Sequence, residues 1–131
     1  MSKYLFTADF EIKASKKMLY PYLYSASGLA QWMADDVMID EDKVFNFIWD
    51  DEDHKAKLVS HRTNNYVKFE FVPSSEEDTE DPAFFELRLE MNELTQSVFL
   101  KVSDYSDMDD TEELYDLWSG LVDNLKETVG G

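Results

Sequence analysis

The chain has 131 residues, no cysteine, and 29 acidic against 12 basic side chains, for a formal net charge of -17. Its 44% hydrophobic and 15% aromatic content excludes a disordered polyelectrolyte, because that much apolar surface offsets chain entropy. The missing cysteines exclude a disulfide framework and thiolate chemistry and fit a reducing compartment, while the charge argues against nucleic acid and anionic membrane as partners, since both would repel it. The length suits one domain over residues 1–131 with one core. Met1 to Phe6 lacks the basic and apolar segments of a signal peptide, and no apolar run spans a bilayer; the expected location is cytoplasmic.

Tyr4, Phe6, Ala8, Phe10 and Ile12 recur at period two against Thr7, Asp9 and Glu11, which predicts a strand with one buried face. Ser15 is placed to cap a helix whose inward face is Met18, Leu19, Tyr22 and Leu23, interrupted by Pro21, a residue that removes a backbone donor. Ser27 is expected to cap a second short helix carrying Leu29, Trp32 and Met33 inward. Strands follow at about 37–39, 44–49, 55–61, 66–72, 84–91 and 96–105, separated by short polar breaks such as Asp50-Asp51-Glu52-Asp53 and Arg62-Thr63-Asn64-Asn65. Such breaks between alternating runs predict antiparallel hairpins in a meander. The exception is a long acidic loop from Pro73 to Pro82. From about Asp109 to Val129, Leu114, Leu117, Trp118, Leu121, Val122, Leu125 and Val129 form one helical stripe, expected to lie across the sheet and to stop at Gly130-Gly131.

In a meander, alternate connections share one end. The break at Asp50, Asp51, Glu52 and Asp53, the loop with Glu76, Glu77 and Asp78, and the final connection with Asp104, Asp107, Asp109 and Asp110 are therefore predicted to gather into one strongly negative end. Catalytic motifs are sparse. His54 and His61, an odd number of residues apart on one strand, are expected on opposite faces, which disfavours a shared metal or active site. No Gly-rich phosphate loop, HExxH or serine elbow occurs. The Asp104 to Asp110 segment lacks the register of a calcium loop. No metal or other cofactor is indicated.

A sheet followed by one long helix, with two short helices after the first strand, resembles the helix-grip fold of the START-like and Bet v 1-like superfamily: α+β, with a curved antiparallel sheet of about seven strands around the C-terminal helix. The Leu29-x-x-Trp32 segment, the strand through Phe69 and Phe71, and the Trp118 helix are similar to the branch related to the activator of Hsp90 ATPase. The Asp40-Glu41-Asp42-Lys43 turn lacks that branch's usual glycines, which favours a small START-like subfamily over the co-chaperone subgroup. The resemblance implies a pocket between sheet and helix. Its candidate lining is Phe6, Phe10, Phe47, Trp49, Phe69, Phe71, Leu87, Leu89, Leu100, Leu117, Trp118 and Leu121, with the acidic end as its mouth. The same rings also suit a packed core, and the sequence leaves the two readings open.

Non-catalytic binding of an apolar small molecule is the leading functional expectation. A protein-interaction module docking its acidic end on a basic protein surface is the second, and a cyclase- or aromatase-like enzyme the third, because no polar group is expected inside the pocket. Clustered acid costs self-repulsion that cations relieve. Replacing Asp50, Asp51, Asp53, Glu76, Glu77 and Asp78 by Asn or Gln is therefore expected to raise the melting temperature at low salt. Melts of parent and variant that respond identically to added salt would show these loops to be too far apart to interact.

Overall fold

Alternating apolar residues build a seven-stranded antiparallel sheet in the order β1-β7-β6-β5-β4-β3-β2. The computed structural model describes residues 2–73 and 80–130, with β1 Tyr4–Ile12, α1 Lys16–Tyr24, α2 Ala26–Leu29, β2 Asp36–Ile39, β3 Val44–Trp49, β4 Glu52–Arg62, β5 Tyr66–Phe71, β6 Phe84–Asn92, β7 Ser97–Ser106 and α3 Thr111–Val129. Six strands form a continuous meander, and β1 closes on β7 with Phe10 opposite Leu100 and Ile12 opposite Val98.

Turn chemistry sets the strand ends. Asp50 and Asp51 both have positive φ, 51° and 64°, the two-residue arrangement whose twist matches a hairpin and which Asp tolerates better than most residues. The turn is thus shorter than the expected four residues, and Glu52 and Asp53 belong to β4. At the next turn the left-handed residue is Asn64, φ 61°.

Helix α1 begins where expected: Ser15 Oγ accepts from Met18 N at 3.0 Å. It continues through Pro21 to Tyr24. Its inward face differs from the expected one. Leu19, Tyr20 and Leu23 are buried, whereas Met18 is 53% exposed, because Leu19 and Leu23, four residues apart, define the stripe and Met18 lies about 100° round the helix from Leu19. The cap of α2 is Ser25 rather than Ser27; Ser25 Oγ accepts from Gly28 N at 3.0 Å. Gly28 sits where a Cβ would approach Pro21 O to 2.3 Å, so the tight corner between α1 and α2 requires glycine.

Helix α3 is capped by Asp110, whose Oδ1 accepts from Glu113 N at 3.1 Å. It ends at Gly130 in the left-handed region, φ 75°, as a C-terminal glycine permits. Leu114, Trp118, Val122 and Leu125 are buried. Leu117, expected inward, is 53% exposed. At about 100° per residue the four buried side chains centre on one direction, from which Leu117 departs by roughly 90°; Leu121 and Val129, closer to it, are partly buried.

Leu125→Ala is expected to lower stability by about 2 to 5 kcal/mol and Trp118→Ala by about 3 to 5. Leu117→Ala should change it by less than about 0.5. Chemical denaturation of the three variants checks this face assignment, and a Leu117 effect as large as that of Leu125 would reverse it.

Candidate functional site

All of the expected pocket residues except the exposed Leu117 converge on one cluster. Phe47, Phe69, Leu87 and Leu100 are fully buried, and Phe6, Phe10, Leu89 and Trp118 nearly so; Trp49, Phe71 and Leu121 pack partly buried against them. Phe47 meets Phe69 edge-on at 5.6 Å and Phe85 at 5.7 Å, Phe45 meets Phe69 edge-on at 5.0 Å, and Phe85 reaches Trp118 at 6.0 Å. These are the preferred offsets of aromatic pairs, and they are the contacts of a filled interior.

Asp104, expected in the acidic β7–α3 connection, lies instead within β7 beside this interior. Its register positions are opposite Phe6 and Phe85, so it faces the same side as Val98, Leu100 and Val102, and its parity with them was visible in the sequence. The carboxylate accepts from Trp118 Nε1 at 2.8 Å. It therefore bolts α3 to β7 rather than joining a loop rim. The other two indoles donate to backbone carbonyls, Trp32 to Tyr22 at 2.8 Å and Trp49 to Met33 at 2.6 Å, so each buried ring satisfies its N–H.

The acidic end is partly assembled as expected. The β3–β4 turn, the C-terminal end of β5, the N-terminal end of β6 and the β7–α3 connection lie at one end of the sheet, and Asp50, Asp51, Glu52, Asp53, Asp107 and Asp109 are exposed there. Glu76, Glu77 and Asp78 lie outside the described residues. Some of this acid serves the fold: Asp35 Oδ2 accepts from Asp50 N at 3.0 Å, and Asp81 Oδ2 accepts from the Tyr105 hydroxyl at 2.9 Å. Among the described residues, no three His, Cys, Asp or Glu side chains form a group able to hold a metal ion.

Both histidines face the interior side of the sheet, contrary to the odd-spacing expectation. The register shifts between Leu58 and Ser60, so Val59 is an extra residue that reverses the parity beyond it. His54 thus pairs with Phe47, and His61 with Val67. Seven residues of strand still separate them by roughly 20 Å, so they share no site. His54 packs on Trp49 at 5.0 Å.

His61 lines a cleft of about 360 Å³ between the α1–α2 corner and strands β2 to β4. Its walls are Tyr24, Ala26, Ile39, Phe45 and Leu58, and its polar groups are Ser25, Lys43 and His61. Tyr20 lies behind: its hydroxyl is 3.4 Å from His61 Nδ1, and its ring stacks on Tyr24 at 5.6 Å. Tyr24 also contacts the His61 ring at 5.6 Å. No sequence signal marked this group, because the bulge that aims His61 has no local signature.

Burial, with a smaller contribution from Tyr24, raises the Tyr20 pKa above the ordinary tyrosine value, about 10. For Tyr105 the hydrogen bond donated to Asp81 is the main cause of a rise in the same direction. A raised folded-state value means that the folded chain keeps a proton the unfolded chain has lost. The associated stability is present below the unfolded pKa and is lost as pH rises through the folded one. Denaturation of Tyr20→Phe between about pH 9 and 11 is expected to show a shallower alkaline loss than the parent; equal slopes would place Tyr20 in contact with water.

The antiparallel sheet with two short helices and a long C-terminal helix defines an α+β helix-grip domain. The START-like superfamily domain model matches residues 1–131, and the chain belongs to the START-like superfamily. It is similar in structure to the Aha1 dimer of Colwellia psychrerythraea, with TM-score 0.76, 18% identity and 96% of each chain covered. The protein BfR322 of Bacteroides fragilis is 29% identical at TM-score 0.63, covering 98% of this chain and 92% of its own. DynU16, from the dynemicin biosynthetic locus, has TM-score 0.74 and 11% identity; 96% of this chain matches 47% of that one. Among curated proteins, no relative matches the sequence.

Proposed function

We propose that this START-like domain binds, without turnover, a small and largely apolar ligand in the cleft at the α1–α2 corner. The cleft itself carries the reading. At about 360 Å³ it falls within the roughly 300 to 1,000 Å³ of small-molecule sites, and it has their usual makeup of apolar and aromatic walls with a few convergent polar groups. The interior between α3 and the sheet is instead occupied by the Phe47, Phe69 and Phe85 rings. No carboxylate lines the cleft among the described residues, so His61 has no acidic partner there with which to run general acid–base chemistry. Binding rather than catalysis is what this set of groups supports.

A second reading rests on the exposed Asp50, Asp51, Asp107 and Asp109 at one end of the sheet. That end suits docking on a basic protein surface, and the fold shared with an Aha1 domain supports a co-chaperone-like role.

Titration with the neutral apolar dye N-phenyl-1-naphthylamine separates these readings. Saturable fluorescence enhancement is expected, with amide shifts concentrated at Ala26, Ile39, Phe45 and Leu58. Ile39→Trp, placed at the half-exposed rim, is expected to weaken the dye without unfolding the domain. Shifts centred on α3 would return the ligand to the helix–sheet interior, and absence of saturable binding by the folded protein would leave the interaction reading in its place.

A further inference from the structure

Opposite the acidic end, the β1–α1 connection, the β4–β5 turn and the β6–β7 turn enclose a recess of about 710 Å³. Its floor is apolar, made by Ile12, Met91 and Val98, and its wall carries Lys13, Lys16 and Lys17. Met91 is 44% exposed, and Leu94, at the tip of the adjoining β6–β7 turn, is 96% exposed. Lys13 and Lys17 are exposed. Among the described residues none of the three lysines forms an ion pair, and Lys16 reaches only the Asn65 side-chain oxygen at 3.5 Å. The single carboxylate in the lining is Glu11.

In a chain with 29 acidic and 12 basic residues, a lining with three lysines outside any ion pair and one carboxylate, Glu11, is a departure from the prevailing charge. We infer that this recess is a docking surface for an acidic peptide segment of a partner protein, one whose apolar side chains seat on the exposed Met91, backed by the buried Ile12 and Val98, while its carboxylates meet Lys13, Lys16 and Lys17. Charge complementarity selects this occupant. A free small anion would leave Met91 unused, and a basic segment would meet three lysines and a single lining carboxylate, Glu11. The net charge of -17 does not forbid an acidic partner. The acidic β3–β4 and β7–α3 connections lie a strand length away, roughly 25 to 30 Å, the Asp40-Glu41-Asp42 turn at this end lies beyond β4 and outside the recess lining, and charges are largely screened beyond about 8 Å at physiological salt. Local charge therefore decides docking at this end.

The test uses the full chain and a short fluorescein-labelled peptide alternating Glu with Leu, followed by anisotropy and by amide shifts. Saturable binding is expected, weakening with salt, with shifts at residues 12–17 and at Met91 and Ser97. The triple variant Lys13→Gln, Lys16→Gln, Lys17→Gln is expected to bind about tenfold more weakly, the sum of three modest surface pairings, and Met91→Ser to weaken binding with an unchanged salt slope. Both sets of substitutions lie on the surface, and unchanged melting curves establish that the variants fold. The inference fails if the peptide does not saturate at low salt, if its shifts map elsewhere, or if the folded triple variant binds like the parent. It also fails if an all-Glu peptide binds as tightly, or if inorganic phosphate displaces the peptide at low concentration, since the recess would then be a simple anion site. Self-association lost in the triple variant would instead make a second copy's acidic end the occupant.

Discussion

The packing of Phe47 edge-on against Phe69 and Phe85, which stack on each other, with one ring from each of β3, β5 and β6, is the contact on which the remaining structure depends. The three rings are at most 2% exposed, and each pair of this kind contributes about 0.5 to 1.5 kcal/mol beyond its buried area. Phe45 and Trp49 extend the cluster along β3, at 6.3 Å and 5.3 Å from Phe47, and Trp118 joins it to α3 through Phe85. Such a cluster specifies register as well as stability, because a one-residue slip of any strand would turn its ring to water.

Filling the middle of the sheet with rings has a consequence for function. Open space among the described residues lies at the margins, including the cleft beside the α1–α2 corner and the recess at the β1–α1 connection. The first is walled mainly by apolar and aromatic side chains, the second by an apolar floor with lysines above it. Asp104 belongs to the central arrangement. Its hydrogen bond with the Trp118 indole fixes the N-terminal half of α3, and a hydrogen bond to a charged acceptor is stronger than one between neutral groups.

The meander sorts the connections, so the β3–β4 and β7–α3 acid gathers at one end while the other end combines three lysines with the Asp40-Glu41-Asp42 turn. Asp50, Asp51, Asp107 and Asp109 lie at one end, and Lys13, Lys16 and Lys17 lie at the other. The backbone needs of the acidic turn account for part of that sorting, since Asp50 and Asp51 occupy left-handed positions that Asp adopts at lower cost than most residues. Charge at this end therefore serves both the turn and the surface it presents.

Local pattern alone specified the strands, the three helices, the Ser15 cap, the glycine stop after Val129 and the sharing of one end by alternate connections, because period two, period 3.6 and turn chemistry act over a few residues. The START-like resemblance rested on the same order of elements. The inward faces of α1 and α3 were legible only to within about one position, since Met18 and Leu117 are apolar residues on the edge of a stripe and only the partner surface decides which edge is covered. Three features required the tertiary structure. The extra residue at Val59 reversed the face of His61, which no composition announces. The rings of β3, β5 and β6 could line a cavity or fill it, and their burial and contacts with one another and with Trp118 appear only in the folded chain. The cleft and the lysine recess arise from segments remote in sequence, joining Tyr24 to His61 and Lys13 to Met91, and such proximity is a property of the folded chain that neighbouring residues do not encode.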